Sequence, residues 1–201
     1  YSKAVHRAII KVPDTRLDRL TELSNPRKVT PATIEFLDAP GLTGKGKAAG
    51  GGLEVSPDLK QADAFMMVID AFSGDTEPET AVKTLTDEMI LLDQVLIENN
   101  PEKRTRAMKL TGEKSEAMQI ELLQRCLSVL EDEKPLLELE LAEDEDKMLR
   151  GYQFLSQKPL LIVLNIDEDR VTQVPQIREQ YRKLTESGKY ELAVMCGKIE
   201  M

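Results

Sequence analysis

One stretch of sequence constrains the fold more than any other. Residues 159–168 read Pro-Leu-Leu-Ile-Val-Leu-Asn-Ile-Asp-Glu, an apolar run that stops at a polar cluster. A short run of Leu, Ile and Val without alternation is typical of a central parallel strand, because both faces of such a strand are buried. Ligands of open α/β sheets bind just beyond the carboxyl ends of the strands. We therefore expect Asn165 and Glu168 to lie at a ligand-binding edge.

The rest of the chain alternates strand and helix patterns. Apolar or β-branched runs predict four more strands, at residues 4–12, 30–37, 65–71 and 190–195. Helices are predicted at residues 13–23, 57–62, 77–99, 114–133 and 174–187. The alternation predicts an α/β fold with a mostly parallel sheet flanked by helices.

Two of these helices are long and amphipathic. Their apolar seams, spaced by three or four residues, consist of Val82, Leu85, Met89, Leu92 and Leu96 in one helix and Ile120, Leu123, Leu127 and Leu130 in the other. Such seams predict an antiparallel, coiled-coil helical hairpin over residues 77–133. The expected organisation is a sheet domain over residues 1–76 and 134–201, interrupted by this insertion.

Size and charge narrow the class of protein. The 201 residues suit one domain with an insertion, and 36 acidic against 27 basic residues give a net charge of -9. An acidic chain argues against a surface that coats nucleic acid, so no specific DNA binding is expected. No apolar run reaches the roughly 20 residues that span a bilayer, so we expect a cytoplasmic protein. Cys126 and Cys196 have no partner pattern and are expected to be reduced thiols.

Polar clusters follow three of the predicted strands, at residues 38–41, 165–168 and 196–198. An Asp after a strand can orient a magnesium-bound water, and a Gly behind it can free an N–H group for a terminal phosphate. An Asn followed by a carboxylate can read the donor edge of a purine, and a small-Gly-Lys turn can cover the base. We predict that Asp38, Asn165 and Gly197 converge on one edge.

Plainer interpretations exist for several of these features. The Asn-x-Asp-Glu segment could simply cap the next helix, and the Asp-x-x-Gly turn could be structural. The acidic residues 138–146 favour a solvated helix start over a metal site, because carboxylates are stabilised at helix N-termini. The single histidine, His6, is expected to be a surface or packing residue.

A glycine-rich segment follows the second predicted strand and resembles a phosphate-binding loop. Residues 41–48 read Gly-Leu-Thr-Gly-Lys-Gly-Lys-Ala and nearly match the phosphate loop G-x-x-x-x-G-K-[ST]. However, Ala48 has no hydroxyl for magnesium, and residues 50–52 are glycines that would break the helix required there. We interpret the segment as a mobile loop near the terminal phosphate, with Lys45 and Lys47 solvated or contacting anions.

Several segments together resemble a known family. They read Pro-Asp-Thr-Arg-Leu-Asp at residues 13–18, Pro-Ala-Thr-Ile-Glu-Phe-Leu-Asp at 31–38, Asp-Glu-Met-Ile-Leu at 87–91, and continue at 158–168 and 197–200. This set is similar to the YchF, or Obg-like ATPase, family of P-loop GTPases. The resemblance implies a Ras-like nucleotide-binding domain with a coiled-coil insertion, a following TGS domain, and binding of ATP or GTP with Mg²⁺. It also implies association with ribosomes or a ribosome-associated factor.

The resemblance also implies roles for individual residues. Asp38 and Gly41 match the third nucleotide-binding motif, with Asp38 holding Mg²⁺ through a water. Leu42 takes the place of the catalytic glutamine of Ras-like enzymes. The base-binding motifs comprise Asn165, Ile166 and Glu168, followed by Cys196, Gly197 and Lys198. In this family N-x-x-E replaces N-K-x-D, and the change accompanies a preference for ATP over GTP.

The sequence departs from the family pattern at several points. The fifth motif is usually Ser-Ala-Lys in the family, so Cys196 and Gly197 depart from it, and the glycine-rich loop lacks the usual G-x-G-L-G-N continuation. The Walker A loop and first switch do not occur in the 201 residues, and Met67 stands where the family often has histidine. We therefore expect hydrolysis in the complete protein and an inactive isolated chain. The alternative hypothesis is a non-hydrolysing module that binds protein or RNA through its helical hairpin, with a degenerate G domain as scaffold.

Overall fold

The computed structural model describes residues 6–38, 55–74, 77–99, 113–186 and 188–200. The chain divides into two compact units, Tyr1–Leu42 and Thr43–Met201, which are described separately. The glycine-rich residues 41–52 lie outside the described residues, so their predicted conformation stays a prediction.

The first unit is a strand, a helix and a strand. They are β1 (His6–Lys11), α1 (Thr15–Ser24) and β2 (Thr33–Asp38). The helix begins where the Asp14 carboxylate accepts the N–H of Arg16 at 2.9 Å, and it ends at Asn25, which has a left-handed φ of 43°.

The pairing within this unit corrects part of the predicted sheet. β1 and β2 form a two-stranded antiparallel sheet with Ile10 opposite Ile34, whereas a mostly parallel sheet was predicted from all five strands. A parallel crossover requires a helix that packs onto the sheet. No residue of α1 is buried, so this helix does not cover the sheet, and β2 returns in the opposite direction.

The second unit contains the parallel sheet. Its strands are β3 (Phe65–Asp70), β4 (Leu160–Asn165) and β5 (Tyr190–Met195), in the order β3-β4-β5. β4 is paired on both sides, and Ile162 and Leu164 have no exposed surface. The prediction of a parallel sheet is confirmed for these three strands, and the run at residues 160–165 is its central strand.

Two helices flank this sheet and close its apolar core. They are α3 (Pro78–Glu98) and α6 (Val174–Gln180); the two helices that lie between them in sequence are described next. A cluster that we call the sheet core consists of Ile69, Val82, Leu160, Ile162, Leu164, Ile166, Ile177, Tyr181 and Cys196. Because α3 and α6 supply Val82 and Ile177, both helices are held to the sheet by burial of apolar surface.

A second apolar cluster lies among α3, the two helices that follow it and the segments that connect them. α2 (Pro57–Gln61) precedes β3, α4 (Glu113–Glu131) packs on α3, α5 (Glu143–Leu149) follows, and α7 (Gly197–Glu200) ends the described chain. Short 3-10 helices are Leu136–Glu138, Arg150–Tyr152, Glu168–Gln173 and Arg182–Thr185. The helical core consists of Ile90, Ile97, Leu122, Leu123, Cys126, Leu130, Leu136, Leu149 and Phe154. Residues 100–112 lie outside the described part, so the hairpin insertion and its boundaries stay a prediction.

The acidic run behaves as a helix start. Four consecutive carboxylates, from Glu143 to Asp146, occupy the first turn of α5. Glu145 accepts the N–H of Ala142 at 2.9 Å and pairs with Arg125, and these contacts lower the pKa of Glu145. Nowhere in the described ranges do three or more His, Cys, Asp or Glu side chains gather as a metal site would require. No helix of the described residues combines the length and apolarity needed to cross a membrane.

A buried carboxylate connects α3 to the turn before β4. Asp93 is 1% exposed; its Oδ1 accepts the N–H of Leu155 at 2.9 Å and its Oδ2 that of Ser156 at 2.7 Å. Ser156 in turn accepts the N–H of Leu136 at 3.2 Å. Burial raises the pKa of Asp93, and the hydrogen bonds from Ser156 and Leu155 oppose that shift. The turn that leads into β4 is therefore fixed to the middle of α3.

Replacing this carboxylate should be costly. Asp93→Ala leaves two buried N–H groups without an acceptor, and we expect unfolding free energy to fall by about 3 kcal/mol. Urea denaturation measures the loss. Asp87→Ala is the matched control on the same helix, because Asp87 forms an exposed pair with Lys83 at 2.9 Å, and it should cost less than about 0.5 kcal/mol. Equal losses in the two variants would show that Asp93 carries no special stabilisation.

The thiol of Cys126 should be unreactive in the folded protein. Its side chain is completely buried in the helical core, and burial raises its pKa to about 11. The thiolate, which is the reactive form, is therefore scarce at pH 8. Pulse alkylation followed by mass spectrometry should label Cys126 at least tenfold more slowly in native protein than in urea. Rapid native labelling would contradict the burial.

Candidate functional site

The carboxyl ends of the three parallel strands are held together by the main chain. Asp70, Asn165 and Met195 lie side by side in the register of the sheet. One residue further on, the N–H of Ala71 donates to Asn165 O at 2.9 Å, and the N–H of Ile166 donates to Met195 O at 2.8 Å. Side chains that follow these strands are consequently presented at one edge.

Asn165 and Gly197 meet at this edge. The Gly197 N–H donates to Oδ1 of Asn165 at 2.8 Å, although the residues are 32 positions apart. A Cβ atom at position 197 would lie 3.3 Å from the same Oδ1. The close approach therefore favours glycine here, and it leaves the Asn165 amide nitrogen as the group available to a ligand.

Glu168 and Lys198 form an ion pair beside this contact. Lys198 Nζ lies 2.7 Å from Glu168 Oε2, and this hydrogen bond to Glu168 raises the pKa of Lys198. The backbone of Glu168 is also fixed, because its N–H donates to Oδ1 of Asp167 at 2.8 Å where the 3-10 helix begins. Both side chains are exposed at the edge, so a ligand can reach them.

Two of the predicted site residues point into the sheet core instead. Ile166 is 2% exposed and Cys196 is 6% exposed, and both belong to the buried cluster. Their side chains therefore support the edge from beneath. Any contact with a ligand would come from their backbone groups.

The end of β3 adds groups that the sequence patterns did not single out. Asp70 accepts the N–H groups of Phe72 and Ser73, both at 3.0 Å, and these bonds, with Ser73 foremost, lower the pKa of Asp70. Arg170 donates to Ala71 O at 3.1 Å, which joins the turn after β3 to the segment after β4. Phe72 follows as an exposed aromatic side chain. A polar residue directly after the apolar run at residues 65–69 is the signal that could have revealed this turn.

The predicted phosphate-side residues are placed differently. Asp38 ends β2 in the first unit as an exposed carboxylate, opposite His6, which is exposed as expected. Gly41 and Leu42 lie outside the described residues. The predicted convergence of Asp38 with Asn165 and Gly197 stays a prediction. Among the described residues, Asp38 belongs to no group of three or more His, Cys, Asp or Glu side chains, so a magnesium site at Asp38 stays a prediction.

The described edge can recognise a planar, hydrogen-bonding ring. It offers an amide nitrogen donor from Asn165, a carboxylate acceptor from Glu168 and an ammonium from Lys198. These groups lie on the turns after β4 and β5, whose main chains are hydrogen-bonded at the strand ends. Such preorganised groups favour binding of a ligand in one orientation. These groups are suited to binding a ligand.

Comparison with known proteins agrees with the resemblance seen in the sequence. No family model matches the chain. It is 34% identical over 206 residues to the Ribosome-binding ATPase YchF of Bacillus subtilis, covering 96% of this chain and 55% of the relative. The protein of the same name from Haemophilus ducreyi is 29% identical, with the same coverage. The chain thus spans about half the length of these relatives.

A solved structure agrees in fold. The Schizosaccharomyces pombe YchF GTPase superimposes with a TM-score of 0.71 at 21% identity, covering 96% of this chain and 56% of that one. The likeness supports the P-loop NTPase architecture that the resemblance implied. Over nearly its whole length the chain is therefore similar in sequence to proteins named Ribosome-binding ATPase YchF, and similar in fold to a YchF GTPase.

Proposed function

We propose that this chain forms most of the nucleotide-binding domain of a cytoplasmic, ribosome-associated ATPase. In its complete form the protein hydrolyses the terminal phosphate of ATP with Mg²⁺, and GTP is the weaker substrate. Support comes from relatives named ribosome-binding ATPases and from the residues gathered at the carboxyl edge of the parallel sheet.

The hydrogen bond between Asn165 and Gly197 is the observation that carries this proposal. It joins the ends of β4 and β5 and orients the Asn165 amide toward the edge. Purine bases carry ring acceptors that such an amide nitrogen can donate to. The turn at Gly197 and Lys198 then covers the base, while the buried side chains of Ile166 and Cys196 support its floor.

Glu168 accounts for the preference for ATP. Its carboxylate only accepts hydrogen bonds when ionised, and the exocyclic amino group of adenine is a donor. Guanine presents a carbonyl oxygen at the equivalent position, and that oxygen would face a carboxylate unfavourably. An acceptor opposite the 6-position therefore favours adenine, whereas the same carboxylate opposite the N1–H and 2-amino groups would bind guanine.

The phosphate side of the proposal involves Asp38, Gly41 and Leu42. Asp38 would orient a water of the nucleotide-bound Mg²⁺, whose chemistry is to neutralise charge on the phosphates. The Gly41 N–H would contact the terminal phosphate. Leu42, an apolar residue, would exclude bulk water beside the reacting phosphate without supplying a base.

A second function is favoured by the helical part of the unit. α3 and α4 pack together, and Leu91 and Val95, one turn apart on α3, are 51% and 43% exposed. Such a surface suits a non-hydrolysing module that binds protein or RNA partners. Point substitutions test this function better than a deletion of residues 77–133, because the deletion would also remove Val82 and Asp93 from the interior.

The base-binding role predicts a large effect at one residue. Asn165→Ala removes the amide and its bond to Gly197, so ATP affinity of the full-length protein should fall at least tenfold, or about 1.4 kcal/mol. Isothermal titration calorimetry measures it. Asn99→Ala, at the exposed end of α3, is the matched control and should bind as the wild type does. A wild-type protein that binds neither ATP nor GTP would refute the nucleotide-binding proposal.

The module function predicts a separable effect. The double change Leu91→Glu and Val95→Glu places two charges on the exposed face of α3, so co-sedimentation with ribosomes should fall at least fivefold while ATP binding stays unchanged. Leu20→Glu, at an exposed leucine of α1, is the control. Unchanged sedimentation in the double variant would remove this face of α3 from partner binding.

A further inference from the structure

The ion pair between Lys198 and Glu168 differs from most others in the described chain. Pairs such as Lys147–Glu143 and Lys83–Asp87 join neighbours on one helix. Lys198 and Glu168 are 30 positions apart, and they join the segment after β5 to the segment after β4. The pair therefore lies across the edge where a base would bind.

The backbone on each side of this ion pair is held in place. Gly197, next to Lys198, is bonded to Asn165 Oδ1 at 2.8 Å. Glu168 is held through its N–H by the Asp167 carboxylate at 2.8 Å. These backbone contacts place the lysine and the carboxylate close enough to meet without a large rearrangement before any ligand arrives.

The pair engages only one of the two carboxylate oxygens. Lys198 donates to Oε2 of Glu168 at 2.7 Å, so it occupies one acceptor position of that oxygen and places a positive charge beside it, while Oε1 receives no bond from Lys198. Guanine presents two adjacent donors, its ring N1–H and its 2-amino group, and a carboxylate binds them with both oxygens. Adenine presents one amino group at its 6-position, for which a single oxygen is sufficient.

We propose that Lys198 sets the base selectivity of this site by competing with guanine for Oε2 of Glu168, so that the carboxylate still serves the single amino group of adenine but binds the two donors of guanine more weakly. The inference rests on the proposed function, because it assumes that Glu168 reads the base. Lys198 is then a positioning residue, which acts on the ligand through Glu168. The positive charge of Lys198 also weakens the attraction of the Glu168 carboxylate for any hydrogen-bond donor of a ligand.

The test compares ATP and GTP binding by calorimetry in the full-length protein. Lys198→Met keeps the aliphatic stem and removes the ammonium, so GTP affinity should rise and the ratio of ATP to GTP affinity should fall about tenfold. Lys198→Gln, whose neutral amide still donates a hydrogen bond, should give a smaller fall. Lys147→Met is the matched control, because Lys147 also pairs with a glutamate at 2.7 Å on an exposed surface, and its ratio should not change.

The outcomes separate this inference from the proposed function. If the wild-type protein binds neither nucleotide, the proposed function fails and the inference fails with it. If the wild type prefers ATP but Lys198→Met and Lys198→Gln keep the same ratio, only the role of Lys198 is overturned. A loss of affinity for both nucleotides in equal proportion would likewise assign Lys198 to general binding and reject a role in selectivity.

Discussion

The parallel register of β3, β4 and β5 is the constraint on which the described site depends. β4 is paired on both sides, and its fully buried residues Ile162 and Leu164 fix which face of the strand meets the sheet core. A slip of one residue would turn these side chains to the opposite face. It would also move Asn165 away from Gly197, so apolar burial in the strand determines the position of the polar edge.

α3 links this sheet to the rest of the second unit. It contributes Val82 to the sheet core and Ile90 and Ile97 to the helical core, and Asp93 lies between Ile90 and Ile97 in sequence. The carboxylate binds the turn that precedes β4, so the strand is held at its start by α3 and along its length by its neighbours. Buried polar groups are tolerated where each is hydrogen-bonded, as the Asp93 oxygens are.

The sequence predicted structure well where a strand is buried along its whole length. It predicted less well where the structure depends on packing between residues distant in sequence. Continuous apolar runs identified β3 and β4, a mostly apolar run identified β5, and the polar residues after β4 and β5 indicated that Asn165 and Gly197 would share an edge. The antiparallel return of β2 was missed, because a strand-helix-strand pattern does not reveal that α1 stays exposed. Asp93 and the Lys198–Glu168 pair were missed too, since the partners of a side chain depend on residues distant in sequence.

At the carboxyl edge of the sheet, different residues position the turns and recognise a ligand. Ile166 and Cys196 are buried and hold the two turns onto the sheet core, whereas Glu168 and Lys198 are exposed and carry the charges. An exposed ion pair contributes little to stability, so nothing in the folding of the chain requires this one. The turns beneath it nevertheless bring the two side chains together, and a donor beside an acceptor is the kind of pattern that discrimination between similar bases requires.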